Sequence, residues 1–290
     1  MKELLILSGK GGTGKTTIAS AFIRLAEARA YADCDVDAPN LHLVSAWDSE
    51  PERRDYFGLP KARIDSSLCI QCDQCHQHCR FHAIRRDGEY RVDPYACEGC
   101  AVCTHVCPAG AVAMEPSRDG ELRLYEEGDR VFSTAELKMG SGTSGLLVTE
   151  VKKDLRRKAV SDFAIIDGSP GIGCPVIASL SGVDMVLIVA EPSLSGISDM
   201  ERIILTAARF GTKTAVCVNK HDTNPVLTAK IVDYCRERDL LFVGTIPFDP
   251  EAVKAVNRRQ TIVDIECSSG TAVRELYRRT MDALFEKEGA

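Results

Sequence analysis

The stretch "GKGGTGKT", Gly9–Thr16, decides how the rest of the chain is read. It matches G-x-x-x-x-G-K-T, with the strand-like run "LLIL" before it and a helix-like pattern after it, the context that a phosphate-binding loop requires. Its glycines let backbone N–H groups turn toward phosphate oxygens, Lys15 reaches the outermost of these, and Thr16 offers its hydroxyl to magnesium. Gly11, Gly12, Thr13, Gly14 and Thr17 are the remaining expected contacts to the nucleotide.

Outward from this loop, short apolar runs ending in glycine, aspartate or proline recur: "LLILSG", "AYADCD", "FAIIDG", "MVLIVAEP", "TAVCVNK" and "LLFVGTIP". They read as buried parallel strands. Helical patterns lie between them over Thr16–Ala30, Ser144–Val160, Asp199–Phe210, Pro225–Arg238 and Thr271–Phe285. This alternation predicts an α/β fold, a doubly wound and mostly parallel sheet of the P-loop NTPase kind.

The 290 residues are 44% hydrophobic, enough for a sizeable core. A net charge of -6, with both signs mixed throughout, gives no field for nucleic acid or an anionic membrane surface. The N-terminus is no signal peptide and no apolar stretch reaches the ~18 residues of a spanning helix, so a cytoplasmic location and no integral membrane segment are expected. Of thirteen cysteines, eight fall between Cys69 and Cys107 and the others, Cys34, Cys174, Cys217, Cys235 and Cys267, are scattered. In a reducing compartment such clustering means metal, not disulfides.

The rhythm of strand and helix breaks over residues 60–116, predicted to be a small inserted α+β domain between two parts, 1–59 and 117–290, of the nucleotide-binding domain. Within it Cys69, Cys72, Cys75 and Cys79 recur 28 residues later as Cys97, Cys100, Cys103 and Cys107. The second run is C-x2-C-x2-C-x3-C-P; the first differs in carrying Arg80 in place of Pro108. This is the bacterial ferredoxin spacing, in which the fourth cysteine of each run serves the other cluster. One 4Fe-4S cluster is therefore expected on Cys69, Cys72, Cys75 and Cys107, and a second on Cys97, Cys100, Cys103 and Cys79. Paired C-x2-C units also suit zinc, but complementary fourth cysteines favour clusters; His76, His78, His82 and His105 are read as solvated or hydrogen-bonding.

Lys10, between Gly9 and Gly11, makes the loop resemble the deviant K-G-G-x-G-K-T motif of the MinD/Mrp class of P-loop ATPases. The resemblance implies that Lys10 acts across a dimer interface on the partner's nucleotide, and that ATP closes two protomers, identical or paralogous, face to face. "DCDVDAPNLH", Asp33–His42, is similar to the family's switch I, implying that Asp35 positions the attacking water with Asp33 or Asp37 nearer the metal. Asp167 in "FAIIDGSPG" corresponds to the aspartate that holds magnesium, and Gly168–Gly171 to switch II. Asn219, Pro247 and Asp249 stand where this class contacts adenine. "NKHD", Asn219–Asp222, also spells the guanine reader N-K-x-D, but the neighbouring "IPFD" resembles the adenine readers and makes ATP the expected nucleotide.

Across the chain, the sequence resembles a MinD-superfamily ATPase with an inserted two-cluster ferredoxin domain. The nitrogenase iron protein, a relative, couples ATP to an iron–sulfur centre. The implied function is dimeric Mg-ATP hydrolysis gating electron transfer to a redox or metallocluster-assembly partner, with the insertion joined to switch I through Leu41–Pro60. A cluster carrier or scaffold and a redox-sensing positioning switch are the alternatives. Cys174 follows Asp167 at the spacing of a cluster ligand in the iron protein, yet without a second cysteine beside it is expected to be a buried or half-buried packing residue. Val273, Leu276, Tyr277, Met281, Leu284 and Phe285 mark the last helix as one that packs on the core and does not bind membrane.

Overall fold

The computed structural model describes residues 1–43 and 47–286. In chain order its elements are β1 (Lys2–Leu7), α1 (Lys15–Ala26), β2 (Ala30–Asp33), β3 (Glu52–Phe57), β4 (Lys61–Ile64), α2 (Gln74–His78), β5 (Ile84–Asp87), β6 (Glu89–Val92), α3 (Val102–Val106), β7 (Val112–Glu115), β8 (Arg118–Glu127) and β9 (Arg130–Leu137). There follow α4 (Ser144–Lys158), β10 (Phe163–Asp167), α5 (Cys174–Leu180), β11 (Met185–Ala190), α6 (Leu194–Arg209), β12 (Lys213–Asn219), α7 (Pro225–Glu237), β13 (Leu241–Ile246), α8 (Pro250–Asn257) and α9 (Ser268–Phe285).

One sheet runs β13-β12-β11-β1-β10-β2-β9-β8-β3. Its strands are parallel from β13 to β9, and β8 and β3 add an antiparallel edge. Because helices cover both faces, the inner strands are apolar on both sides. Leu5 and Leu7 enter the core beneath α4, α5 and α6, whereas Leu4 and Ile6 enter the one beneath α1 and α9.

The six apolar runs are β1, β2, β10, β11, β12 and β13, and the sheet is larger than they suggested. β8 was hidden because only Leu122 and Leu124 of its alternating "LRLY" are buried, and β3 because Tyr56 is its one buried residue. Gly128, at φ 60, turns the chain from β8 into β9. Local caps move the helix ends. Glu27 takes a left-handed cap that stops α1 at Ala26, so Ala30 opens β2. Ser193 Oγ accepts the Gly196 N–H at 3.1 Å and starts α6 at Leu194, ahead of Asp199. Cys267 Sγ accepts the Gly270 N–H at 3.3 Å and starts α9 at Ser268.

The last helix packs on the core: Val273, Leu276 and Leu284 are buried, and Tyr277 meets Phe22 edge-on at 5.2 Å. Among the described residues no helix is long and apolar enough to cross a membrane.

Between β3 and β8 the units β4–α2–β5 and β6–α3–β7 interlock, β4 pairing with β7 and β5 with β6. The 28-residue repeat is written in the backbone as well. Left-handed Gln71, Asp73 and His82 recur as Gly99, Ala101 and Gly110, so each short helix is entered through the same turn.

Candidate nucleotide site and cysteine centres

Strand ends bring the first site together. β1 delivers the phosphate loop, and β2 and β10 end on Asp33 and Asp167, in register with each other. Gly12 (φ 80) and Gly14 (φ 92) adopt the left-handed conformation that L side chains rarely enter, and a Cβ on Gly14 would lie 2.3 Å from Asn219 Nδ2. That nitrogen donates to Thr13 O at 2.7 Å, and Lys220 Nζ donates to Gly12 O at 2.9 Å. The end of β12 thus holds the loop open. Thr13 Oγ1 is buried without a hydrogen-bond partner, as suits an atom shaped to meet a ligand.

Lys15 Nζ lies 2.5 Å from Asp167 Oδ1, and Thr16 Oγ1 donates to Asp167 Oδ2 at 2.7 Å. The residues assigned to phosphate and magnesium thus share one fully buried carboxylate. Burial alone would lower the pKa of Lys15, but Asp167, with Asp33 and Asp35, outweighs it and keeps the ammonium charged. Asp33 accepts the amides of Asp35, Asn40 and Leu41 at 2.9–3.0 Å. Asp33 or Asp37 was expected nearer the metal; the Asp33 oxygens shape the loop that presents Asp35, and Asp37 is exposed. Burial, with Asp167 adding to it, raises Asp33 to about 7.

Burial likewise raises Asp35 to about 6, against the pull of Lys15. If the Asp35 carboxylate orients water, hydrolysis needs it ionised, so activity is present above about 6 and lost as pH falls through it. The acid limb of kcat/KM, which reports the free enzyme, is expected near that pH. Asp35→Asn should leave a low rate with no such limb.

Lys10 Nζ lies 3.3 Å from Ser193 Oγ and 3.5 Å from Glu191 Oε2. Within one chain it is parked on its own β11–α6 connection. Ser169 Oγ, inside "DGSPG", donates to Cys34 O at 2.5 Å and ties the segment after β10 to that after β2.

Beside the loop is a cavity of ≈ 370 Å³ lined by Gly12, Gly14, Thr17, Asn219, Pro247 and Asp249, with Ile18, Phe248 and Val253 among its apolar walls. The structure brings these expected base contacts together. Asp249 also has a structural role: its carboxylate accepts the Ser269 amide at 3.1 Å and the Glu251 amide at 3.0 Å, bonds that hold it at about 2. Asp222 does not line the cavity; its Oδ1 accepts the Phe248 N–H at 2.7 Å.

The eight clustered cysteines form two separate quartets. Cys69, Cys72, Cys75 and Cys107 line one hollow with Ile64, Ile70, Tyr90 and Val112. Cys79, Cys97, Cys100 and Cys103 line another with Ala62, Phe81, Val92 and Met114. Each hollow therefore takes its fourth thiol from the other run. The two crossing thiols also accept matching backbone bonds, Ala83 N–H to Cys79 Sγ at 3.4 Å and Ala111 N–H to Cys107 Sγ at 3.3 Å. Among the described residues no three His, Cys, Asp or Glu groups converge on a point fit for one metal ion. Four thiols standing round an apolar hollow, with amides on the crossing sulfurs, are a donor set that fits a multinuclear iron–sulfur cluster. None of the four histidines lines either hollow.

Cys174 departs from expectation. It is exposed, because it opens α5 directly after the glycine-rich turn and Gly145 of α4 occupies the inner side of its Cβ.

Residues 4–262 match the CobQ/CobB/MinD/ParA nucleotide binding domain family. An uncharacterized protein of Methanocaldococcus jannaschii is 30% identical over 288 residues, 97% of each chain. The septum site-determining protein MinD of Pyrococcus horikoshii, solved with Mg-ADP, superposes with a TM-score of 0.58 at 17% identity, over 98% of this chain and 97% of that one. A 59-residue stretch, 20% of this chain, is 41% identical to the indolepyruvate oxidoreductase subunit IorA of Methanothermobacter thermautotrophicus, covering 9% of that protein.

Proposed function

Because the chain belongs to the CobQ/CobB/MinD/ParA nucleotide-binding family, we propose that it hydrolyses Mg-ATP as a dimer and thereby gates electron transfer through two 4Fe-4S clusters held within residues 60–116. One observation carries the reading: eight thiols divide into two quartets, each completed by the other repeat. When bound, a cluster at each quartet supplies reversible one-electron transfer. The Mg-ADP found in a solved MinD supports an adenine nucleotide, as does the commitment of Asp222 to Phe248 instead of the base cavity. The likeness to an oxidoreductase subunit supports a redox partner.

The chain's own residues divide the nucleotide chemistry. Lys15 neutralises charge on the transferred phosphoryl oxygens, Thr16 and Asp167 hold magnesium, and Asp35, placed by Asp33, orients water. Lys10 leaves Ser193 and Glu191 to reach the nucleotide of the second protomer, identical or paralogous. Placement and charge make up nearly all of such catalysis, so closing the dimer is what completes the site.

The test is anaerobic. Reduced protein is mixed with a one-electron dye acceptor in Mg-ATP or Mg-ADP, and protein-bound iron is followed through many turnovers. Faster delivery in Mg-ATP with iron retained is expected. Delivery indifferent to nucleotide overturns the gating, and iron passing to an apo-acceptor replaces it with a carrier.

A further inference from the structure

We infer that the segment Lys138–Gly145, the loop after β9 together with the first residues of α4, carries nucleotide-dependent movement to the cysteine centres, and that the covalent connection Leu41–Pro60 does not. The inference rests on the gated electron-transfer reading and supplies its route. At its root, the Leu137 N–H donates to Val36 O at 2.8 Å, so the loop leaves the sheet beside the Asp33–Asp37 segment. At its far end, a Cβ on Gly145 would lie 3.1 Å from both the Cβ and the carbonyl oxygen of Cys174, where the turn after Asp167 becomes α5. Lys152 Nζ, from α4, donates to Ser179 O at 2.6 Å and Ser181 O at 2.7 Å at the other end of α5. Lys152 thus ties the C-terminal end of α5 to α4, and Gly145 lets the two helices approach closely at the other end.

The middle of the loop faces the cysteine segment. A Cβ on Gly140 would lie 3.1 Å from the Tyr95 ring, and one on Gly142 3.3 Å from Glu98 Oε2. Glu98 lines the hollow of Cys79, Cys97, Cys100 and Cys103, so this quartet is the proximal one. The end of β3 meets the loop too: Tyr56 Oη donates to Thr143 O at 3.4 Å, and a Cβ on Gly58 would lie 2.2 Å from Asp119 Oδ2 and 2.8 Å from Thr143 Oγ1. Those two oxygens are buried without hydrogen-bond partners, while the Lys138 N–H donates to Asp119 O at 2.7 Å and ties the loop to β8. These approaches place the loop where its displacement would be felt at Tyr95 and Glu98.

The covalent route is anchored elsewhere. Glu127 Oε1 accepts the amides of Asp48 and Ser49 at 2.7 and 2.9 Å, at the end of β8 far from Gly58. From there the chain must run the length of β3, paired along β8, before it reaches Gly58. At its far end this connection also meets the cysteine segment, where a Cβ on Gly99 would lie 2.6 Å from Pro60 O, so its isolation from switch movement rests on the anchor at Glu127.

The experiment compares amide hydrogen exchange in the iron-loaded full chain with Mg-ADP and with Mg plus a non-hydrolysed ATP analogue. In the wild type, exchange at Tyr95–Cys100 and at Lys138–Gly145 is expected to differ between nucleotides; no difference at Tyr95–Cys100 would overturn the gating reading itself. Tyr95→Ala alters a side chain that is 75% exposed and should spare the fold. Combined with Glu98→Ala, it should erase the difference at Tyr95–Cys100 while keeping that at Lys138–Gly145. Glu127→Ala should change neither. A difference that survives Tyr95→Ala/Glu98→Ala, or disappears in Glu127→Ala, overturns the relay, and unchanged iron content in each variant shows that the centres are intact.

Discussion

Lys15→Ala is expected to lower ATP hydrolysis by about 10²–10³-fold, the usual loss when a preorganised group facing developing charge is removed. Its effect on the empty protein is the more informative. Lys15 is 5% exposed and is the cation among Asp167, Asp33 and Asp35. Deleting it strands buried carboxylate charge, at a cost of about 3–5 kcal/mol near pH 7. The pH dependence has a definite sign. Asp33 and Asp35 already titrate at about 7 and about 6 in the fold, above their unfolded values, so the folded state binds more protons than the unfolded state between those values and neutrality. Stability attributable to these groups therefore rises as pH falls. The deficit of Lys15→Ala should shrink between pH 7 and pH 5 in denaturant titrations, whereas a deficit constant with pH would mean that lost packing, not charge, explains it.

Cys107→Ala is expected to remove the centre held by Cys69, Cys72 and Cys75, although Cys107 belongs to the second run. About four of about eight irons should be lost, with the signal of the Cys97, Cys100 and Cys103 centre kept. Because one site loses its ligand once only, Cys75→Ala/Cys107→Ala should lose no more iron than Cys107→Ala alone. Cys75→Ala/Cys79→Ala, both in the first run, should lose both centres. The grouping rests on which thiols line which hollow, and the bonds to Cys79 and Cys107 repeat across the two halves. Iron counts in which the run-internal pair loses a single centre would assign each cluster to one run.

Much of this was legible in the sequence because the chemistry is local there. Gly9–Thr16 announces a phosphate-binding loop through its spacing, and a 28-residue repeat sets out two runs of four cysteines before any fold is known. Buried parallel strands declare themselves as unbroken apolar runs; β3 and β8 did not, since an antiparallel edge shows alternation in which charged residues predominate, and the run of β9, parallel to β2 and mostly buried, is interrupted by Ser133 and Thr134. What stayed hidden depends on tertiary neighbours. Nothing in "DCDVDAPN" reveals that Asp33 spends its oxygens on amides. Cys174 looked like a packing residue because the helix N-terminus that exposes it follows a turn of unreadable direction. The parking of Lys10 on Ser193 and Glu191, and the seat of Tyr95 and Glu98 against Gly140 and Gly142, join residues far apart in the chain. Sequence distance had suggested Leu41–Pro60 as the link between the sites, and spatial contact favours Lys138–Gly145.

The central claim is that ATP binding energy reaches the clusters, and its most direct test is an anaerobic titration of their midpoint potentials, followed by electron paramagnetic resonance. Potentials measured with Mg-ADP and with a slowly hydrolysed ATP analogue are compared. A coupling of 1–3 kcal/mol between the sites corresponds to roughly 40–130 mV for one electron. The account predicts a shift of that order, larger at the centre of Cys79, Cys97, Cys100 and Cys103, which lies against the loop, than at the distal one. Identical potentials in the two nucleotide states would contradict it.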